Sequence, residues 1–220
     1  MNIWLIIPVK SLRESKSRLA NVLTGDQRRE LTSHLLSRTI EVGCQVNSIQ
    51  RILVVTPDPE VELLTRSQEV TVILEEERRG LNSALAQSRD FAGHYADWIL
   101  ILPCDLPFIS VDDIERLLVP LLGPNTESPR TISEQNLGLM VICPDLHEDG
   151  TNALLLSKAG DFTFRFGENS FQKHLLEASN RGLKAARVHP EGIRFDLDSE
   201  DDWFEYLKRS SGVPLSKQLE

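Results

Sequence analysis

The sequence predicts an α/β fold of three layers, with a mostly parallel sheet held between helices. Short apolar runs recur at residues 3–9, 52–55, 70–74, 98–102, 137–142, 153–156 and 185–188. They lack the polar alternation of a half-exposed strand, so each reads as buried on both faces. Stretches of helical periodicity separate them, and that alternation closes into a sheet covered on both sides. Charged residues also follow the early strands: Lys10, Asp58, Glu75 and Asp105. In a parallel sheet these would share the rim beyond the carboxyl ends, where ligands bind.

The elements follow in chain order. Residues 3–9 form the first strand. Thr24, with Gln27 three positions on, marks a capping box that opens a helix carrying Leu31, Leu35 and Ile40. Residues 52–55 form the second strand, stopped by Pro57-Asp58-Pro59, and residues 70–74 the third. Asn82 is placed to cap a helix bearing Ala84, Leu85 and Phe91. The fourth strand, 98–102, breaks at Pro103. Ser110 and Asp113 form a second capping signature, followed by a stripe at Ile114, Leu117, Leu118, Leu121 and Leu122. The polar segment 123–135 reads as a loop. After two further strands Ser170 is expected to cap a helix, which Gly182 ends in a left-handed turn. One domain over residues 1–208 is expected, with 209–220 a flexible tail.

Composition narrows the function. Across 220 residues, 24 Lys and Arg face 33 Asp and Glu, a net charge of −9. A chain that acidic has no general electrostatic footprint for nucleic acid, so an anion must be held in a local basic pocket. No apolar run reaches the ~18 residues of a membrane span. The N-terminus has no signal-peptide pattern, and a cytoplasmic protein is expected. Cys44, Cys104 and Cys143 are far apart and fit neither a disulfide frame nor a zinc site. No Walker motif, GxGxxG, GxSxG or HExxH is present.

Three clusters on the predicted rim carry chemistry. Lys10, Arg13, Lys16 and Arg18 crowd the loop after the first strand. Such a density suits a polyphosphate, and a solvated basic loop reads equally well. Asp105, between Pro103 and Pro107, could serve magnesium together with phosphate oxygens, or be a turn residue. In Phe195-Asp196-Leu197-Asp198 the two carboxylates would point the same way from an extended chain. They could complete a metal site or cap the helix holding Trp203 and Tyr206. Thr151, Gly167 and Ser170 bring two hydroxyls, a permissive backbone and a helix N-terminus able to offer free amides; a turn and a cap explain them too. Gly80-Leu81-Asn82 reads as a nucleotide contact or a cap.

Taken in order, these segments resemble a known family: Ile7-Pro8-Val9-Lys10 with Lys16-Ser17-Arg18-Leu19, Gly80-Leu81-Asn82, Asp105-Leu106-Pro107, Asp149-Gly150-Thr151-Asn152-Ala153, Phe166-Gly167 with Ser170-Phe171, and Asp196-Leu197-Asp198. The set is similar to the CofC/FbiD-type guanylyltransferases of deazaflavin coenzyme F-420 biosynthesis, over roughly residues 3–202. The resemblance implies a nucleotide-diphospho-sugar transferase fold (GT-A-like) and transfer of GMP from GTP to phosphoenolpyruvate, 2-phospho-L-lactate or 3-phospho-D-glycerate. It implies that Thr151, Gly167 and Ser170 seat the acid, that Gly80 and Asn82 approach the nucleoside, and that Lys10, Lys16 and Arg18 handle phosphate. It places Mg²⁺ on Asp105, with Asp196 or Asp198. Ser199-Glu200-Asp201 stands where a threonine–proline pair is expected, which leaves open which late aspartate is the ligand.

Phosphoenolpyruvate is the preferred acceptor. A homodimer and a hand-over to the downstream F-420 transferase are compatible with this reading. A related nucleotidyltransferase acting on a sugar phosphate or molybdopterin is disfavoured, because the first loop lacks the glycines those enzymes place there. A non-catalytic nucleotide-binding module would need the anion pocket without the carboxylates.

Overall fold

The inner apolar runs become strands with both faces covered, whereas the runs at 70–74 and 185–188, expected to be buried as well, form the two edge strands, the first partly and the second largely exposed. A computed structural model describes residues 2–75, 80–122, 138–157 and 162–210. The strands are β1 (Ile3–Pro8), β2 (Ile49–Thr56), β3 (Val70–Leu74), β4 (Trp98–Ile101), β5 (Leu139–Pro144), β6 (Thr151–Ser157) and β7 (Lys184–Arg187). The helices are α1 (Gly25–Gln45), α2 (Pro59–Thr65), α3 (Leu81–Ala92), α4 (Val111–Leu122), α5 (Ser170–Asn180), α6 (Glu191–Arg194) and α7 (Glu200–Arg209). The expected loop at 123–135 lies outside the described residues.

The seven strands form one sheet in the order β3-β2-β1-β4-β6-β5-β7. β6 alone runs antiparallel to its neighbours β4 and β5. Ile3, Leu5 and Ile7 face one side, in a core with Leu36 and Ile40 of α1. Trp4 and Ile6 face the other, with Ala84 and Leu85 of α3. This is the three-layer arrangement expected from runs without polar alternation. Burying one such side chain contributes about 1.5–3 kcal/mol, in keeping with the wholly apolar β1 and β4 at the middle of the sheet.

Several local signals act as read. Thr24 and Gln27 close a reciprocal capping box on α1. Ser110 and Asp113 exchange the same pair of bonds at the start of α4. Gly182, at φ 66°, ends α5 with Leu183 N–H donating to Ala178 O at 2.9 Å.

Others differ. The N-cap of α3 is Gly80, without a side-chain bond, and Asn82 lies inside the helix. The N-cap of α5 is Asn169, and Ser170 is its first helical residue. β6 begins at Thr151, so Thr151 and Asn152 stand on a strand and not in a turn. Of the tail expected at 209–220, Arg209 is helical and its guanidinium covers the Phe108 and Phe195 rings, and residues 211–220 lie outside the described residues.

A third apolar cluster, including Leu19, Leu35, Phe195, Leu197, Trp203 and Tyr206, ties α7 to α1 and to the loop after β1. The chain enters this cluster through α6. There Gly192 N–H donates to the buried Asp113 carboxylate at 3.2 Å. A Cβ on Gly192 would lie 2.5 Å from the Phe108 carbonyl oxygen and collide with the Asp113 carboxylate. Gly192→Ala is therefore expected to lower unfolding free energy by about 1–3 kcal/mol, the usual cost of overpacking a filled site; urea titration measures it.

Candidate active site

A cavity of about 860 Å³ opens beyond the carboxyl ends of β1–β4. Lys10, Lys16, Arg18, Gly80, Asp105, Thr151, Gly167, Ser170, Asp196 and Asp198 all line it, as does Glu75. Of the four strand-end charges, Asp58 is turned away. One of its oxygens caps α2 by accepting from Glu60 N–H at 3.0 Å. The other accepts from Leu12 N–H at 2.9 Å and Ser11 Oγ at 3.1 Å, so Asp58 staples the basic loop to β2. Burial opposes its charge, but these donors prevail and hold its carboxyl below the usual range.

The stapled loop delivers Lys16. Its backbone is left-handed, at φ 55°, a conformation that costs a non-glycine residue about 1–2 kcal/mol. That turn buries the ammonium, leaving the side chain only 7% exposed. Nζ lies 3.1 Å from Asp105 Oδ2 and 2.7 Å from Asp198 Oδ1. Burial alone would lower the lysine's pKa; the two carboxylates more than compensate, and it is raised. Lys10 and Arg18 stand exposed on the same rim. Arg13, the fourth cation, is outside the cavity lining.

The late acidic pair behaves as its alternation implies. Phe195 and Leu197 are buried, and Leu197 N–H donates to Asp105 O at 3.0 Å, so both carboxylates face the cavity. Asn152 Nδ2 donates to Asp196 Oδ1 at 3.1 Å and also to the carbonyls of Ile193 and Arg194. Burial, followed by the charge of Asp105, pushes the Asp196 carboxyl up to about 6. Asp198 is likewise penalised by burial, but the Lys16 ammonium outweighs that and lowers it. Ser199 is accounted for locally, since it forms a capping box with Asp202 that starts α7.

Across the cavity, Ser170 Oγ donates to Thr151 Oγ1 at 3.3 Å. Gly167, at φ 117°, makes the turn between Phe166 and α5, a backbone that glycine adopts without strain. Two expectations fail here. The first amides of α5 are not free: Ser170 N–H donates to Gly167 O, and Phe171 N–H to Asp149 O. Asn82 does not line the cavity. Both ends of its amide are spent on Phe166, accepting from N–H at 2.8 Å and donating to O at 3.1 Å. It clamps the Gly167 turn from outside the cavity lining.

His174 was not singled out from the sequence. It is fully buried behind Thr151, with Nδ1 3.0 Å from Thr151 Oγ1 and Nε2 accepting from Arg165 N–H at 2.9 Å. Its position four residues after Ser170 puts both on one helix face, which was the available signal.

A cationic loop and a carboxylate group thus share one cavity with a hydroxyl pair, on a sheet with a single reversed strand. Comparison with known proteins gives this arrangement a family. The model of the guanylyl transferase CofC-like family matches residues 3–215. The chain belongs to that family. A phosphoenolpyruvate guanylyltransferase of Rubrobacter xylanophilus is 38% identical over 97% of both chains. A 2-phospho-L-lactate guanylyltransferase of Methanothermobacter thermautotrophicus is 29% identical over 100% of this chain and 90% of its own. Among solved structures, a Desulfovibrio desulfuricans G20 protein assigned to the nucleotide-diphospho-sugar transferases superposes with a TM-score of 0.73 at 12% identity, covering 98% of this chain and 90% of its own. The fold expected from the resemblance is the fold observed.

In this CofC-like chain, no three acidic, histidine or cysteine side chains converge as a closed metal centre among the described residues. What they form is an excess of negative charge: Asp105, Asp196 and Asp198 around one buried ammonium. Magnesium binds through one or two carboxylates and completes its shell with phosphate oxygens and water. The donor set fits an ion held jointly with a polyphosphate. A thiolate mechanism has no support, because burial pushes the Cys104 thiol, next to Asp105, up to about 12. No described helix is long and apolar enough to cross a membrane.

Burial lowers the pKa of His174 from 6.5 to about 4, against a smaller opposing effect of Glu177. The unfolded chain therefore takes up this proton first on acidification. Its contribution to stability is intact above about 6.5 and falls as pH drops toward about 4, by about 3 kcal/mol in all. Urea unfolding of wild type and His174→Asn across that range should differ by this slope, with the variant flatter.

Proposed function

We propose that this chain transfers GMP from GTP to phosphoenolpyruvate, releasing pyrophosphate, in coenzyme F-420 biosynthesis. Family membership and the 38% identical relative named for that acceptor support the reading. The observation that carries it is the opposition, across one cavity, of the Lys10, Lys16 and Arg18 cations to the Thr151, Gly167 and Ser170 seat.

The nucleophile is an oxygen of the acceptor's own phosphate. Such a monoester, with its second pKa near about 6, is largely dianionic at neutral pH, so no general base is needed. That oxygen forms a bond to the α-phosphorus of GTP. The bond from α-phosphorus to the bridging oxygen breaks, and pyrophosphate leaves with the electron pair. The barrier is the approach of two anions, which places the burden on charge neutralisation and in-line alignment.

Lys10 and Arg18 hold the triphosphate and then the departing pyrophosphate. Lys16 neutralises from the floor of the cavity. Thr151 holds the acid's carboxylate or phosphate with its hydroxyl proton, Ser170 supports that hydroxyl by donating to Thr151 Oγ1, and the Gly167 turn lets the acid approach the backbone. Gly80 lies where the nucleotide enters. Asp105, with Asp198 or Asp196, would hold Mg²⁺, whose bound charge offsets that of the phosphate oxygens. The substrates are metabolites of the cytoplasm, and the reactive product favours hand-over to the next enzyme.

Pyrophosphate release is measured with GTP, Mg²⁺ and each of phosphoenolpyruvate, 2-phospho-L-lactate and 3-phospho-D-glycerate. Phosphoenolpyruvate is expected to give the highest kcat/KM, and no release with any of the three would overturn the proposal. Asp105→Asn should cut kcat by about a hundredfold or more, the scale of losing one preorganised electrostatic group, while the melting temperature holds. Ser170→Ala should raise the KM of the acid more than that of GTP; equal rises would reduce Ser170 to a structural hydroxyl.

A further inference from the structure

We infer that His174 is a positioning residue that aims the Thr151 hydroxyl proton at the acid, through a hydrogen-bond chain running from the Arg165 amide through the imidazole to Thr151. The inference deepens the guanylyl-transfer reading and rests on it for the identity of the acid.

The chain has only one polarity. A backbone N–H can only donate, so the imidazole nitrogen facing Arg165 N–H at 2.9 Å must be the acceptor. In a neutral imidazole the other nitrogen then carries the proton. Nδ1–H therefore donates to Thr151 Oγ1 across 3.0 Å. Thr151 Oγ1 also accepts from Ser170 Oγ. With both of its lone pairs engaged, the threonine hydroxyl retains one function, donation of its own proton. Thr151 lines the cavity, so that proton is available to a carboxylate or phosphate oxygen of the substrate.

The surroundings hold the imidazole in this state. Phe166 meets it edge-on at 4.8 Å, and Phe162 lies at 5.8 Å. Burial disfavours its protonated form. A protonated ring would have no acceptor at Arg165 N–H, so the fold and the tautomer reinforce each other. The same ring fastens the loop that carries Gly167, because Arg165 lies two residues before it. His174 thus joins the loop to the strand hydroxyl and sets their spacing.

The two halves of this role separate in substitutions. Asparagine can place an amide N–H near the position of Nδ1 and serve Thr151 but not Arg165. Glutamine reaches the Nε2 position and serves Arg165 but not Thr151. Leucine serves neither.

His174→Leu is expected to raise the KM of the acid about five- to tenfold, the worth of one buried hydrogen bond, with the KM of GTP unchanged. His174→Asn should recover most of that loss and His174→Gln should not. Thr151→Val with His174→Leu should be no worse for the acid than Thr151→Val alone, since one effect runs through the other. Parallel rises in both KM values, or additive effects in the double variant, would overturn the inference. So would Asn behaving as Leu.

Nitrogen-15 NMR of the wild-type imidazole reads the tautomer directly and stands apart from the kinetics. A proton on Nε2 overturns the inference even if His174→Leu fails to fold. If wild type transfers GMP to none of the three acids while NMR shows the Nδ1–H form, the failure belongs to the proposed reaction and not to the hydrogen-bond chain.

Discussion

Charge imbalance governs this cavity. Asp105, Asp196 and Asp198 face it together, and one buried ammonium, Lys16, lies between two of them. Like charges in a poorly solvated place cannot all persist without compensation. The protein answers in three ways. Lys16 pairs with Asp105 and Asp198, Asn152 donates to Asp196, and Asp196 is left with a raised affinity for a proton. Much of the nearby architecture serves to hold that balance. The left-handed turn at Lys16 and the Asp58 staple fix the ammonium, and the buried Phe195 and Leu197 fix the carboxylates.

The opposite wall is built on different principles. Its innermost polar groups are neutral, two hydroxyls, an amide and an imidazole arranged in order, with the Asp149 and Glu168 carboxylates further out on the same lining. Thr151, Ser170 and His174 form one connected set, and Asn82 closes the turn beside them through the Phe166 peptide. Neutral donors suit a small acid that must be oriented but also released. The strongly charged side suits a triphosphate, whose charge is larger and whose products must be separated. The two walls meet because β4 and β6 are neighbours in the sheet.

The sequence revealed the layers well, because two-sided burial leaves a clear mark in runs such as residues 3–9 and 98–102. It also revealed the rim, since Lys10 and Asp105 follow apolar strands directly. Capping residues were legible where the partner was three positions away, as at Thr24 and Ser110. Residues whose partners are distant in sequence were misread or missed. Asn82 looked like a cap because its true partner, Phe166, is 84 positions on. Asp58 looked like a rim charge because its bonds to Ser11 and Leu12 form only when β1 and β2 pair. His174 carries only its four-residue spacing from Ser170; its meaning comes from Thr151 on β6 and Arg165 on a loop. The free amides expected at α5 were lost for the same reason, one of them being taken by Asp149 from the β5–β6 turn.

The reversal of β6 has a mechanical corollary. Because this strand runs against β4, its amino end arrives where the others finish. Thr151 and Asn152 can then line the cavity from within regular hydrogen-bonded sheet, whereas Lys10 and Lys16 do so from irregular chain. Regular sheet thus fixes one wall through its own hydrogen-bond ladder, whereas the other, made of irregular chain, needs a dedicated side-chain staple at Asp58 to stay in place.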